Sequence, residues 1–163
     1  MSHSLRTIFA AAAMVVALAP RTHAQVMPIE WSARVAPGEV RAGRPFTVLV
    51  RAQIPYSWHL YSTTQPSGGP MATTFLVSGG PFTRRGKVEA REPIRAYDAI
   101  AEMKTETYSD SVTFRVPVVA SQSGKQTLEL TVRYQSCTDR FCAPERIQVL
   151  KPVVFVAPAA GKP

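Results

Sequence analysis

Apolar and polar side chains alternate along Val112-Thr113-Phe114-Arg115-Val116-Pro117-Val118-Val119. Successive side chains of a β-strand point to opposite faces, so Phe114, Val116 and Val118 are expected to share one face. The same alternation continues in Thr127–Tyr134, and neither stretch shows the spacing of about 3.6 residues that is typical of an amphipathic helix. Both stretches therefore predict strands that turn one face towards a hydrophobic core.

Further segments show strand patterning or short apolar runs bounded by turn residues. These are Ile29–Val35, Phe46–Ile54, Trp58–Tyr61, Thr73–Val77, Lys87–Arg91 and Lys104–Tyr108. The segment Ile147–Val156 predicts one more strand, or two if Pro152 interrupts it. By contrast, Ile94–Met103 has no clear period and predicts a loop or at most one helical turn.

These segments amount to eight or nine short strands at spacings near ten residues, without a convincing helix. Such a pattern predicts an all-β fold, an immunoglobulin-like antiparallel β-sandwich. We predict that residues 1–24 are a signal peptide, that residues 25–156 form the sandwich domain, and that residues 157–163 are a disordered tail.

The first residues resemble an export signal. Arg6 precedes the apolar run Ile8–Ala19, which is shorter than the about 20 residues needed to span a bilayer. Thr22-His23-Ala24 places small residues at the two positions that a signal peptidase inspects, so cleavage is predicted after Ala24. An uncleaved membrane anchor is the alternative.

Composition favours a bacterial periplasm as the destination. The chain contains 14 arginines, 5 lysines and no asparagine, a bias associated with GC-rich bacterial genomes. Its formal net charge is +8. Arg84-Arg85 is the only basic pair in the predicted domain, and no aromatic residues are interleaved with a basic cluster, so nucleic-acid binding is not predicted.

Both cysteines lie in one short stretch, at Cys137 and Cys142. The stretch falls between the strand that ends at Tyr134 and the one that begins near Arg146, so a hairpin tip is predicted. A disulfide across so short a loop stabilises the fold by only about 2 kcal/mol, which makes structural stapling a weak reason for it. A reversible dithiol–disulfide pair is the functional hypothesis, and a passive hairpin staple is the alternative.

The neighbours of the cysteines predict modest intrinsic reactivity. Arg140 favours a thiolate and Asp139 opposes one, and no helix N-terminus is predicted that could lower a thiol pKa. His59 is the only histidine beyond the predicted signal peptide, so two cysteines and one histidine supply at most three metal ligands. We predict neither a metal nor a cofactor, and without an orienting asparagine we do not predict a Cys142–His59 hydrolase pair either.

The aromatic segment Ser57-Trp58-His59-Leu60-Tyr61 is the second feature of interest. Strand packing around a satisfied histidine explains it in the simplest way. The functional alternative is a wall that flanks the cysteines and presents His59 and Tyr61 beside them.

Together, these features resemble a known family. The aromatic segment, the stretch Glu106–Phe114 and the Tyr134-Gln135-Ser136-Cys137…Cys142-Ala143-Pro144 signature occur in this order behind an export signal. They are similar to the N-terminal periplasmic domain of the thiol:disulfide interchange protein DsbD. The signature, which also encloses Phe141, is the most specific part of the likeness.

The resemblance implies an immunoglobulin-like module whose two cysteines shuttle between dithiol and disulfide. Its implied activity is that of a protein-disulfide reductase or interchange component, with periplasmic thioredoxin-like proteins as partners, of the disulfide isomerase or cytochrome c maturation type. Cys142 would form the mixed disulfide with a partner and Cys137 would resolve it. The aromatic pair that flanks the family's cysteines falls on His59 and Tyr61.

The family also covers its disulfide with a short loop that carries an acidic residue and a phenylalanine. The corresponding segment here is Asp98–Met103, with Asp98 as the acidic residue and no phenylalanine, so Ile100 or Met103 is expected to shield the sulfurs. The family's membrane domain would begin where this chain ends, so we expect a separate membrane protein as the electron donor.

Overall fold

The computed structural model describes residues 29–160, and within them the chain forms strands, turns and loops without a helix. No helix in this part of the chain is long and apolar enough to cross a membrane. The predicted signal peptide and residues 161–163 of the predicted tail lie outside the described residues.

The described residues form fourteen strands, several of them very short. In chain order they are β1 (Glu30–Val35), β2 (Val40–Arg41), β3 (Pro45–Gln53), β4 (His59–Tyr61), β5 (Thr74–Ser78), β6 (Phe82–Arg84), β7 (Ile94–Asp98), β8 (Met103–Tyr108), β9 (Ser111–Ala120), β10 (Gly124–Thr127), β11 (Glu129–Tyr134), β12 (Ser136–Cys137), β13 (Arg146–Leu150) and β14 (Val153–Ala157).

Strand pairing is antiparallel except between β14 and β2. The longest ladder joins β3 to β9, from Pro45 opposite Val119 to Gln53 opposite Ser111. These two strands lie at the centre of the sheet β1-β3-β9-β6. The other ladders form the sheets β13-β11-β5, β12-β4-β8-β7 and β10-β14-β2.

The alternation along the central strands produces the core. Val50 of β3, Phe114 of β9 and Val132 of β11 have no exposed surface, like their neighbours two residues away on each strand. Removing such a side chain from water stabilises the fold by roughly 1.5–3 kcal/mol. The sheets therefore pack face to face, and the predicted immunoglobulin-like antiparallel β-sandwich is confirmed.

Aromatic rings join the two sides of this core. The Trp31 ring lies 5.1 Å from that of Tyr134 and 6.1 Å from that of Phe114, measured between centroids. The Phe114 ring in turn lies 4.9 Å from that of Phe75 on β5. Tyr134, the last residue of the strand that leads into the cysteine loop, is thus held in the core.

Strongly patterned segments were predicted correctly. The strands β1, β3, β5, β8, β9 and β11 match their predicted segments to within two residues at each end. Pro152 does separate two strands, β13 and β14. The second of these continues through Ala157, which pairs with Arg41 of β2.

Two predictions were wrong. Lys87–Arg91 forms no strand and contributes one isolated bridge, between Glu89 and Arg115. Conversely, Ile94–Asp98 within the predicted loop forms β7, which pairs with β8. Four of its five residues are exposed, so burial imposed no alternation on it.

Short strands escaped prediction for a related reason. The strands β2, β6 and β12 each pair with a neighbour over three residues or fewer. The strand β10 is longer but contains no buried residue. Pairing with a neighbour that is distant in sequence creates these strands, so no local period indicates them.

We expect the core to depend strongly on Phe114. Truncation by Phe114→Ala removes a fully buried ring with three aromatic neighbours and should lower the free energy of unfolding by about 3–5 kcal/mol. The matched control is Phe155→Ala, because the Phe155 ring on β14 is 72% exposed and its loss should cost below about 1 kcal/mol. Urea unfolding followed by tryptophan fluorescence measures both. Equal losses in the two variants would contradict this account of the core.

Candidate functional site

The cysteine loop is the connection between β11 and β13, as predicted, but it contains a further strand. After Tyr134 the chain enters β12, whose Ser136 and Cys137 pair with Leu60 and His59 of β4. The loop therefore changes partner, from the sheet of β11 to the sheet of β4. This change places the cysteines beside the aromatic segment.

Backbone hydrogen bonds fold the loop back on itself. The Ala143 N–H donates to the Ser136 carbonyl at 2.9 Å, and the Thr138 N–H donates to the Phe141 carbonyl at 2.9 Å. Between these bonds Cys137 and Cys142 face each other as a non-hydrogen-bonded antiparallel pair, the position at which facing side chains lie closest. They form a disulfide, with their Cα atoms 4.0 Å apart.

Thr138 shapes the turn between the two cysteines. Its hydroxyl oxygen accepts hydrogen bonds from the backbone N–H groups of Arg140, at 3.3 Å, and Phe141, at 3.2 Å. The local sequence thus specifies a tight turn. Arg140 lies at the tip of this turn, and its side chain is exposed.

The two cysteines are not equally exposed. Cys137 has no exposed surface, whereas Cys142 is partly exposed. The Sγ atom of Cys142 lies 4.0 Å from the hydroxyl oxygen of Tyr61. An incoming thiolate can therefore approach Cys142 more readily than Cys137.

Tyr61 links the disulfide to the β7–β8 turn. Its hydroxyl donates to the Asp98 carboxylate at 3.0 Å. Burial raises the pKa of the Tyr61 hydroxyl well above its ordinary value, and the hydrogen bond and negative charge of Asp98 add to this. Tyr61 thus stays protonated at neutral pH and keeps donating to Asp98.

Asp98 is held as a carboxylate. Partial burial acts to raise its pKa, but hydrogen bonds from the Ala101 N–H, the Tyr61 hydroxyl and the Ile100 N–H outweigh this and lower it. The same two N–H groups donate to Oδ1 at 3.0 Å and 2.9 Å. Asp98 therefore both orients Tyr61 and closes the turn that follows β7.

His59 and Ile100 border the same cavity. A space of about 390 Å³ lies between the β7–β8 hairpin and the cysteine loop, and its lining includes His59, Asp98, Ile100 and Thr138. The His59 ring meets the Tyr61 ring edge to face, with 5.8 Å between centroids. Ile100 is 47% exposed at this position.

Met103 packs against Gly69. A Cβ atom added to Gly69 would overlap the Met103 sulfur, so this side chain packs closely against the glycine-containing loop that follows β4. The structure places Met103 at the base of the β7–β8 turn and Ile100 at the cavity beside the cysteine loop.

Two further predicted residues have distinct positions. Phe141, which precedes Cys142, is 55% exposed, and its ring meets that of Trp58 edge to face with 5.5 Å between centroids. Tyr134 is fully buried in the core, where burial raises its pKa. Phe141 thus adjoins the accessible cysteine, while Tyr134 supports the loop from behind.

Sequence reasoning assigned no role to Gln135. Its side-chain oxygen accepts from the Met71 N–H at 2.8 Å, and its side-chain nitrogen donates to the Ala143 carbonyl at 3.1 Å. Its backbone carbonyl accepts from the Tyr61 N–H at 3.4 Å. The only local sign of this bridging role is a glutamine that stands between Tyr134 and Ser136, both of which the structure buries.

A second cluster that was missed surrounds Glu106 on β8. The Glu106 carboxylate accepts hydrogen bonds from the hydroxyls of Thr64 and Ser62 and pairs with Arg95 on β7 at 2.8 Å. The hydrogen bond from Thr64 lowers the pKa of Glu106 most strongly. This cluster fastens β7 and β8 to the segment that follows β4, beneath the site. Among the described residues, no group of three or more histidine, cysteine, aspartate or glutamate side chains is placed to hold a metal ion.

Known proteins resemble this chain in sequence and in fold. The family model described as "Thiol:disulfide interchange protein DsbD, N-terminal" matches residues 27–153. The N-terminal periplasmic domain of ScsB from Proteus mirabilis aligns with a TM-score of 0.56 and 16% identity, over 77% of this chain and 46% of the ScsB chain, so this chain spans about half of that structure. This likeness shows a shared fold.

A second solved structure is the N-terminal domain of Neisseria meningitidis DsbD in the reduced form. It aligns with a TM-score of 0.48 and 14% identity, over 64% of this chain and 74% of that one. No curated protein matches the chain.

The lowered pKa of Asp98 predicts a pH-dependent contribution to stability. A carboxyl whose folded pKa lies below its unfolded value of about 3.8 stabilises the fold above that value and loses this effect as the pH falls through the folded pKa. At pH 7 we expect Asp98→Asn to lower the free energy of unfolding by about 0.5–1 kcal/mol, after allowing for solvent screening. Urea unfolding at neutral pH and near pH 3 should show this difference shrink with acid.

Asp139→Asn is the matched control, because the Asp139 side chain is exposed in the cysteine loop. It should change stability by less than about 0.5 kcal/mol at either pH. A difference between wild type and Asp98→Asn that stayed constant across the titration would show that the Asp98 charge does not stabilise the site.

Proposed function

The chain belongs to the family of DsbD N-terminal domains, and on that basis we propose that it relays reducing equivalents by exchanging the Cys137–Cys142 disulfide with thioredoxin-like proteins. The single observation that carries the proposal is the unequal exposure of the two cysteines. Cys142 is partly exposed beside the Tyr61 hydroxyl, and Cys137 is buried behind it. This asymmetry suits a cysteine that attacks and a cysteine that resolves.

The first step starts from the dithiol form. The Cys142 thiolate attacks one sulfur of a partner disulfide, a bond forms between these two sulfurs, and the partner's other sulfur leaves as a thiolate. The partial exposure of Cys142 supports this role. The Tyr61 hydroxyl oxygen lies 4.0 Å from the Cys142 sulfur, while its single O–H is donated to Asp98.

The second step returns the module to its oxidised form. The Cys137 thiolate attacks the Cys142 sulfur, the intramolecular disulfide re-forms, and the partner's remaining sulfur leaves as a thiolate. Two electrons have then passed to the partner, whose thiolates take up protons from water. A dithiol donor must supply two electrons and two protons to reduce Cys137–Cys142 again, and we assign that role to a membrane electron donor.

The implied location is outside the cytoplasm. The matching domain of ScsB is described as periplasmic, and the matching family is that of the DsbD N-terminal domain. A disulfide of this kind persists in an oxidising compartment. Export through a signal peptide cleaved after Ala24 fits this location. Partners of the disulfide isomerase or cytochrome c maturation type belong to the same proposal.

Trapping of the mixed disulfide tests the order of attack. In a Cys137→Ala variant, Cys142 has no resolving thiol, so we expect a covalent complex with a thioredoxin-like protein that appears on non-reducing gels and disappears with dithiothreitol. The Cys142→Ala variant should give at least about tenfold less complex, because its remaining thiol is buried. Equal trapping by both variants would remove the assigned roles.

The reduction potential separates exchange from passive stapling. A disulfide used for relay should equilibrate with a thioredoxin-like protein and lie above the about −300 mV that is typical of structural disulfides. A lower potential, together with partner binding that survives replacement of both cysteines by alanine, would favour the alternative of a binding module with a hairpin staple.

Ile100 and Met103 can now be tested separately as shields of the disulfide. Ile100 borders the cavity beside the cysteine loop, whereas Met103 packs against Gly69. We expect Ile100→Ala to speed reduction by dithiothreitol about threefold, which corresponds to roughly 0.7 kcal/mol in the barrier. Met103→Ala should change the rate by less than about 1.5-fold. Stopped-flow measurement of the rate of disulfide reduction in both variants tests this. Unchanged rates would leave the β7–β8 turn without a shielding role.

A further inference from the structure

A basic groove lies between two edge strands, away from the cysteine loop. It has a volume of about 380 Å³, and its walls include Thr63, Thr74 and Phe75 on one side and Arg84, Lys87 and Val88 on the other. The strand β5 is the last strand of the sheet β13-β11-β5, and β6 is the last strand of the sheet β1-β3-β9-β6. The groove thus occupies the gap where these two edges meet.

The cations of the groove are not neutralised by the protein. Of the ion pairs formed by the described residues, none includes Arg84, Arg85 or Lys87. Arg84 uses Nη1 to donate to the Gly86 carbonyl at 2.9 Å, which holds the guanidinium near the turn and leaves its other N–H groups available. No acidic residue lines the groove.

One acidic side chain, that of Glu106, is hydrogen-bonded to a residue of the groove, and it already has a cationic partner. Thr64, a groove residue, donates to the Glu106 carboxylate, which is also held by Ser62 and Arg95. Its charge is therefore balanced from within the fold. The positive charge of Arg84 and Lys87 faces solvent without a counterpart.

The groove also offers polar groups of a second kind. The hydroxyls of Thr63 and Thr74 have no hydrogen-bond partner among the described residues. The strand β5 pairs with β11 on one side, and no described strand pairs with its other side. An edge strand can accept an extended peptide through backbone hydrogen bonds, while side-chain contacts supply specificity. Arginine and lysine beside such an edge select carboxylates.

We propose that this groove binds an extended acidic segment of a protein partner, which adds to the edge of β5 and places its carboxylates on Arg84 and Lys87. The net charge of +8, which becomes +6 without Arg6 and Arg21 of the predicted signal peptide, supports attraction of such a segment from a distance. Recognition would be strongest at low ionic strength, because both cations are exposed.

The groove is separate from the disulfide. None of the groove residues belongs to the cysteine loop or to the β7–β8 turn. The inference therefore does not rest on the redox proposal.

A labelled peptide tests the groove directly. The probe is an acetylated peptide of alternating glutamate and valine, about eight residues long, within the usual length of a strand. Fluorescence anisotropy with the oxidised protein at low salt should show saturable binding, and Arg84→Glu together with Lys87→Glu should weaken it about tenfold or more. Amide chemical-shift changes should centre on Thr74 and Leu76 of β5.

The matched control reverses two other exposed cations, by Arg34→Glu with Lys125→Glu. Each replacement changes the charge by −2, so both double variants change it by −4, and the control should bind the peptide within about twofold of wild type. Equal weakening in the two variants, or shift changes away from β5, would show that net charge alone attracts the peptide and would overturn the proposal.

Two further outcomes would count against binding of an acidic segment in the groove. Charged residues beside an edge strand also prevent unwanted sheet pairing, and absence of saturable peptide binding would leave them only that role. Binding of phosphatidylglycerol vesicles in place of the peptide would assign the groove to membrane lipid. Reduction of the disulfide by dithiothreitol should proceed at the wild-type rate in the groove variant, which keeps this test independent of the exchange chemistry.

Discussion

The pairing of β12 with β4 is the interaction on which the site depends. Two backbone pairs, Ser136 with Leu60 and Cys137 with His59, bring the cysteine loop onto the sheet that carries Tyr61 and the β7–β8 hairpin. Without them the loop would remain an ordinary connection between β11 and β13. With them, one sulfur is buried under the sheet and the other lies beside a tyrosine hydroxyl.

Side chains distant in sequence then complete the geometry. Gln135 ties the loop to the segment after β4 through hydrogen bonds at both ends of its amide. Asp98 holds Tyr61 from the opposite side and closes its own turn with the N–H groups that follow. Because each of these groups is satisfied within the protein, the site is ordered before a partner arrives. Pre-organisation of this kind lowers the cost of association.

Much of the fold could be predicted from sequence because burial imposes a period. Val112–Val119 and Phe46–Ile54 alternate since one face of each strand is in the core. The edge strand β7 shows the limit, because four of its five residues face solvent and no period arises. Within the site, the family resemblance put His59 and Tyr61 beside the cysteines, and in the structure His59 pairs with Cys137 and the Tyr61 hydroxyl lies 4.0 Å from the Cys142 sulfur. It did not reveal that Met103 packs on Gly69 or that Gln135 bridges two loops, since both depend on how separate loops meet.

The sequence by itself determined that the chain is built of strands and that its two cysteines can bond across one tight turn. These are local properties, which follow from side-chain alternation and from the separation of Cys137 and Cys142 along the chain. Only the tertiary structure decided which sulfur is exposed and which groups surround it. Tyr61 and Asp98 lie 37 residues apart in sequence, and Tyr61 and Cys142 lie 81 apart. Such contacts arise from the register of paired strands, which no single segment of the chain specifies.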